Sequence, residues 1–314
     1  MVVKKLLIAI FLLLFVGNEF AYATIVSAGY EHSLIVDNSG SLWAFGKNES
    51  GQLGDGTTSN MKIPKKIMND VRAVAAGVQN SWALKKDNTL WVFGENYICD
   101  LREVTKTPKL FMSDVREVAT NNGHTLVIKN DGSLWIFGSS VPDGSHVCNP
   151  TPKQIMTNVK TVVAGWEHSL IVKNDGTLWS MGKNYNGQLG DGTTIDSFLL
   201  KKIMNGVKAV SAGQDTSFVI KNDNTLWAFG TNNLGQLGDK TTENKAVPTF
   251  IMDNVKMVSA GSSHTLVLKE DNTLWGFGGN YRGQIADATT EHNIPFPKQI
   301  MKDVKAYRQE EIIR

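Results

Sequence analysis

The sequence predicts an all-β fold: a closed propeller of six four-stranded blades. Three observations lead there. The dipeptide Leu-Trp recurs at 42, 90, 134, 178, 226 and 274, at intervals of 44 or 48 residues. Eleven residues before each tryptophan stands His32, Asn80, His124, His168, Thr216 or His264. An Ile-Met step follows at 67, 155, 203, 251 and 300, replaced by Phe111-Met112 in the second copy. Internal repetition at roughly 40–50 residues marks a fold assembled from one supersecondary unit, and short strands in fours are the unit of a propeller.

The elements follow in order along one copy. Val71-Arg72-Ala73-Val74-Ala75 alternates as a half-buried strand does. Ser81 to Leu84 is a second strand and Leu90 to Phe93 a third. Between them lie Ser39-Gly40, Asp87-Asn88, Asp131-Gly132, Asp175-Gly176, Asp223-Asn224 and Asp271-Asn272. Gly or Asn in the second place tolerates positive φ, so these are tight hairpin turns. The Ile-Met step lies in the fourth strand. The six tryptophans after Leu recur with the scaffold and are expected to pack between blades, and Trp82 takes the apolar place of Leu34 and Leu170. The first body, from Ile25, has no Ile-Met step before it, and Ile300-Met301 has no body after it. The C-terminal strand is therefore expected to complete the blade begun near Ile25 and so close the ring.

The N-terminus has another purpose. Lys4 and Lys5 precede an apolar run, Leu6 to Val16, and Ala21-Tyr22-Ala23 comes after it. A basic start, an apolar stretch and a small-residue site make a secretory signal, with cleavage expected between Ala23 and Thr24. Residues 1–23 are then the signal and 24–314 a single propeller domain, exported to a periplasm or the medium. The apolar run is shorter than the roughly 20 residues a membrane helix needs, so no membrane insertion is expected after cleavage. The remaining 30 basic and 29 acidic residues speak against a nucleic-acid binder, which would carry a strongly basic face.

The motif is sharpest at 164–194, AGWEHSLIVKNDGTLWSMGKNYNGQLGDGTT. This pattern resembles the regulator of chromosome condensation repeat, and the resemblance runs from Ile25 to about Ala306. It implies a β-propeller used mainly as a protein-binding platform. The founding members are nuclear guanine-nucleotide exchange factors with seven blades. This chain departs from them in its export signal, its six copies and its lack of a basic tail, so no exchange residues are carried over. Exported bacterial relatives include inhibitors of other secreted enzymes, and the resemblance therefore implies a scaffold that binds or inhibits a secreted or surface protein. Two other readings stand beside it: a hydrolase-like propeller enzyme with a central-channel site, and an exchange-factor-like effector.

Gly51 to Thr58, GQLGDGTT, has the composition of a phosphate loop. Its order is G-x-x-G-x-G, without a following helix or a lysine, so the dinucleotide and phosphate-loop readings fail. It recurs at Gly187, Gly235 and Gly283, as a connection inside a blade would. The recurrent histidines are replaced by Asn80 and Thr216, poor substitutes for an imidazole ligand, and no metal or other cofactor is expected. Ser, His and Asp occur only at repeat-equivalent places, whereas catalysis needs one asymmetric constellation; no catalytic residue is assigned.

Individuality lies elsewhere. The pair of residues after the Gly of Ala-Gly-x-x-His differs between copies. Tyr30, Glu31, Trp166, Glu167 and Asp215 at these positions are candidate anchors on an exposed rim, aromatic residues being enriched in binding hot spots. Copies two and three lack GQLGDGTT, and their replacement segments carry Tyr97, Arg102, Asp143 and His146, a second candidate surface. They also hold Cys99 and Cys148, whose equivalent places and exported compartment favour a disulfide. The partner is expected to be a protein or cell-surface ligand, and the chain a monomer.

Overall fold

A computed structural model describes residues 25–98, 101–121, 123–138, 149–286 and 292–304. The chain falls into two compact units, one built on the first three repeats and the other on the last three. Every element among the described residues is a β-strand, and the strands form six four-stranded antiparallel sheets.

The first unit holds three sheets. Strands β1 (Ile25–Ala28), β2 (His32–Val36), β3 (Leu42–Gly46) and β4 (Met61–Met68) make the first. Strands β5 (Val71–Ala76), β6 (Asn80–Lys85), β7 (Leu90–Ile98) and β8 (Leu101–Met112) make the second. Strands β9 (Val115–Thr120), β10 (His124–Lys129), β11 (Leu134–Gly138) and β12 (Asn149–Met156) make the third.

The second unit repeats the plan. Its fourth sheet is β13 (Val159–Ala164), β14 (His168–Lys173), β15 (Leu178–Gly182) and β16 (Ser197–Met204). The fifth is β17 (Val207–Ala212), β18 (Thr216–Lys221), β19 (Leu226–Gly230) and β20 (Lys245–Met252). The sixth is β21 (Val255–Ala260), β22 (His264–Lys269), β23 (Leu274–Gly279) and β24 (Asn293–Met301).

The C-terminal strand corrects the sequence reading. β24 pairs β23 in the sixth sheet, and β1 already has a complete sheet ending in β4. Each Leu-Trp strand is followed directly by its own outer strand, so an Ile-Met step belongs to the body before it. The central hairpin turns behave as expected: Gly40, Asn88, Gly132, Gly176, Asn224 and Asn272 all have φ between 62° and 81°. A second set of turns ends each outer strand. Asp70, Asp114, Asn158, Gly206, Asn254 and Asp303 have φ between 58° and 72°. Within each unit the valine after such a turn docks on the hairpin turn of the sheet just completed, as Val71 N–H does on the Gly40 carbonyl at 2.9 Å and Val207 N–H on Gly176 at 2.9 Å.

Sheets pack through apolar faces. Leu34, Val36, Leu42, Ala44 and Leu53 of the first repeat bury against Val71, Ala83 and Phe93 of the second, with Trp91 against this cluster. In the second unit Phe218, Ile220, Leu226, Ala228 and Leu237 bury against Val255, Val267 and Phe277, with Trp275 alongside. Among the repeated tryptophans, Trp91, Trp135, Trp227 and Trp275 thus pack between sheets. The indole N–H is spent within the turn: Trp91 donates to Thr89 Oγ1 at 2.9 Å, and Trp43 to Asp37 Oδ2 at 2.8 Å.

Candidate binding surface at the strand ends

GQLGDGTT is a clamp between sheets. Asn48, just before it, organises the loop: its side-chain amide donates to Asp55 Oδ1 and to the Thr57 and Ser59 carbonyls, while its Oδ1 accepts the Leu53 N–H at 2.9 Å. Burial acts to raise the Asp55 pKa, but bonds from Lys65, Thr57 and Asn48 outweigh it and hold the carboxyl at about 2. Leu53 is fully buried in the joint with the second sheet, and Gly56 N–H donates to the Lys106 carbonyl of that sheet at 2.8 Å. Gly54 has φ 71°, and a Cβ there would stand 2.7 Å from the Phe93 ring. The fourth and fifth repeats are alike, with Gly190 against Phe229 and Gly238 against Phe277. Glycine serves close approach of the loop to a neighbouring sheet.

The repeated histidine belongs to the same joint. His32 Nε2 lies 2.8 Å from Ser81 Oγ of the second sheet, and Ser81 Oγ donates to the Gln52 carbonyl at 2.8 Å. The serine's one proton is used there, so the imidazole N–H is on Nε2 and donates. His168, Ser217 and the Gln188 carbonyl repeat the chain at 2.9 and 2.7 Å. Burial pushes the His32 and His124 pKa values down to about 4, which keeps both rings neutral near pH 7.

The second repeat lacks the clamp, and aromatic rings fill its place. Trp82 is fully buried and meets Phe111 and Phe137 edge-on at 5.1 and 5.4 Å. The replacement segment is a hairpin: β7 and β8 continue to the pairs Tyr97↔Arg102 and Ile98↔Leu101. Tyr97 and Arg102 are therefore opposite one another in backbone register. Asp143, His146, Cys99, Cys148, Ala23 and Thr24 lie outside the described residues.

The variable pairs cap the joints. Tyr30 is 66% exposed and its N–H reaches the Gly77 carbonyl at 3.3 Å. Glu31 is exposed and accepts Lys47 Nζ at 2.7 Å. Trp166 is half-buried rather than exposed, and its N–H reaches the Gln214 carbonyl of the next sheet at 3.1 Å. Glu167 is half-buried beside it, and its carbonyl accepts Lys183 N–H. Asp215, also half-buried, accepts both Tyr185 Oη and Gln188 Nε2 at 3.2 Å. Burial raises the Asp215 pKa, and burial followed by the charge of Asp215 pushes Tyr185 up to about 12. Trp166, Glu167, Tyr185, Gln214 and Asp215 thus form one aromatic and acidic surface in the second unit. Tyr185 is absent from the sequence expectations. Its signal was available: the residue after the loop asparagine varies as Glu49, Tyr185, Asn233 and Tyr281. Among the described residues no three His, Cys, Asp or Glu side chains cluster as a metal site.

Two family models for the Regulator of chromosome condensation (RCC1) repeat match this chain, one over residues 39–84, 175–220 and 223–268, the other over 23–52, 159–188, 207–236 and 255–284. A curated relative, Protein RCC2 homolog of Danio rerio, is 50% identical over 36 residues, which are 12% of this chain and 7% of that protein. The structure of Kap60 bound to yeast RCC1 (Prp20) contains a chain similar to this one with TM-score 0.77 and 19% identity, over 88% of this chain and 74% of that one. Prp20p from Saccharomyces cerevisiae gives 0.76 and 20%, over 88% and 76%. Human WBSCR16 gives 0.68 and 20%, over 78% and 71%. These likenesses show an RCC1-like propeller fold. With the repeat found in both units, and its recurring Gly, His and Leu-Trp positions explained by sheet packing, the chain belongs to the RCC1 repeat family.

Proposed function

We propose that this chain is an exported, non-catalytic scaffold whose six sheets close into one propeller and whose variable strand ends bind a secreted or cell-surface protein. The observation that carries the reading is the division of labour within a repeat. Recurring positions are consumed by joints between sheets, whereas the pair of residues after Ala-Gly varies between copies and reaches the surface as Tyr30, Glu31, Gln214 and Ser262. Prp20, similar in fold, is seen bound to Kap60 and has been studied for binding to Gsp1p and histones; that RCC1-like propeller binds proteins. Export rests on the basic-apolar-small pattern of residues 1–23, and a Cys99–Cys148 disulfide on the equivalent places of the two cysteines.

The test is affinity capture from the native envelope or medium with the mature chain, followed by a binding titration of the captured protein. Trp166→Ala is expected to weaken binding at least tenfold, in the range of an aromatic hot spot, with the fold intact by circular dichroism. Unchanged affinity in both Trp166→Ala and Tyr185→Ala would remove this surface from the proposal. Thiol labelling of the unreduced exported protein reads the disulfide: two reactive thiols would exclude it.

A further inference from the structure

The outer strand is the last of its sheet: among the described residues no further strand pairs on its far side. Such an edge invites another strand, and proline is one way of closing it, since it offers no N–H. Five outer strands carry proline at one place, four residues before the methionine of the Ile-Met or Phe-Met step: Pro64, Pro108, Pro152, Pro248 and Pro297. β16 has Leu200 there. The place falls within the shift of register between outer and third strand, between Lys201 and Ser197 in this sheet. Five sheets form without an N–H at this position, so pairing to the third strand does not need it.

β16 also exposes large apolar side chains. Leu199 is 71% exposed and Ile195, just before the strand, 73%. Lys201 and Lys202 come next, and Asp196 precedes. Asp196 accepts Lys183 Nζ at 2.9 Å and the Asn184 N–H at 2.8 Å, with part of its side chain still exposed.

We propose that β16 is an interface between two copies of this chain, paired antiparallel about a two-fold axis at Leu199. The sequence is self-complementary in that register. Leu199 meets Leu199, Phe198 meets Leu200, Asp196 meets Lys202 and Ile195 meets Ile203. Two-fold symmetry allows only registers centred on a residue. Centring on Leu200 would set Lys201 against Leu199 and Lys202 against Phe198; centring on Phe198 would set Asp196 against Leu200. Charge and apolar matching therefore select one register. The monomer expected from sequence becomes one side of a monomer–dimer equilibrium.

The test is sedimentation equilibrium of the purified mature chain over a range of concentrations. The weight-average mass is expected to rise towards twice the monomer value. Leu200→Pro is expected to hold it at the monomer value with the thermal midpoint unchanged, because five sibling sheets accept proline at this position. Leu199→Lys changes an exposed side chain and gives the same loss without touching the backbone. Lys202→Glu is expected to weaken the dimer. A wild-type chain that stays monomeric throughout would overturn the proposal, and so would a dimer unaffected by both Leu200→Pro and Leu199→Lys.

Discussion

His32 and His168 tie their own sheet to the next through a serine, and burial fixes the charge that His32 can carry. The folded pKa of His32 and of His124 is about 4, against about 6.5 in the unfolded chain. The folded value is the lower one, so the stabilisation is fully present above about pH 6.5 and is lost as pH falls towards 4. Each histidine is expected to reduce unfolding free energy by about 1.4 kcal/mol per pH unit across that window. Denaturant titrations at pH 7, 6 and 5 read the slope directly, and His32→Asn, which copies Asn80, is expected to flatten it. The loop glycines give a second prediction at this scale. Gly190 has φ 74°, and an added Cβ would lie 2.8 Å from the Phe229 ring. Gly190→Ala should therefore destabilise by roughly 2–4 kcal/mol, through positive-φ strain and overpacking together, measured as a fall in denaturation midpoint. If Gly190→Ala were neutral, the loop would not be seated on Phe229.

At the scale of the element, the joint between sheets has two solutions. Where the clamp loop is present, a leucine from it, Leu53 or Leu237, completes the apolar joint. Where the second repeat discards the loop, Trp82 and Phe111 replace smaller residues and pack against Phe137. Trp82→Ala is expected to cost about 3–5 kcal/mol, as other large-to-small aromatic core changes do, whereas the bulk at Leu34 and Leu170 needs only leucine. The outer strands contribute pairing and cover. Removing residues 293–314 takes β24, with its fully buried Ile294, from β23. The truncated chain is expected to unfold at a lower denaturant concentration; an unchanged midpoint would show the outer strand to be dispensable.

For the whole molecule, the repeat itself was legible because each recurring residue answers a local physical demand. Positive φ at Gly40 and Asn88, indole N–H satisfaction at Trp91, and alternation along β2 can all be read from one copy. The recurrent histidine and the glycine-rich loop were legible only as structural parts. What each touches lies about 50 residues away, as Ser81 does from His32 and Ser217 from His168. The candidate surface was legible in part. Tyr30 is exposed as expected, but Trp166 is drawn half inward, and Tyr185 enters because its loop folds back over Asp215.

Sequence alone determined the number of repeats, the strands of each, the turns between them and the places where one copy differs from another. It could do so because propensity, alternation and turn chemistry act over a few residues. The tertiary structure decided which body owns each outer strand, that GQLGDGTT docks on the neighbouring sheet, and which variable side chains share a surface. Those outcomes depend on contacts between separate copies of the same motif, and identical copies carry no local mark of which neighbour they will meet.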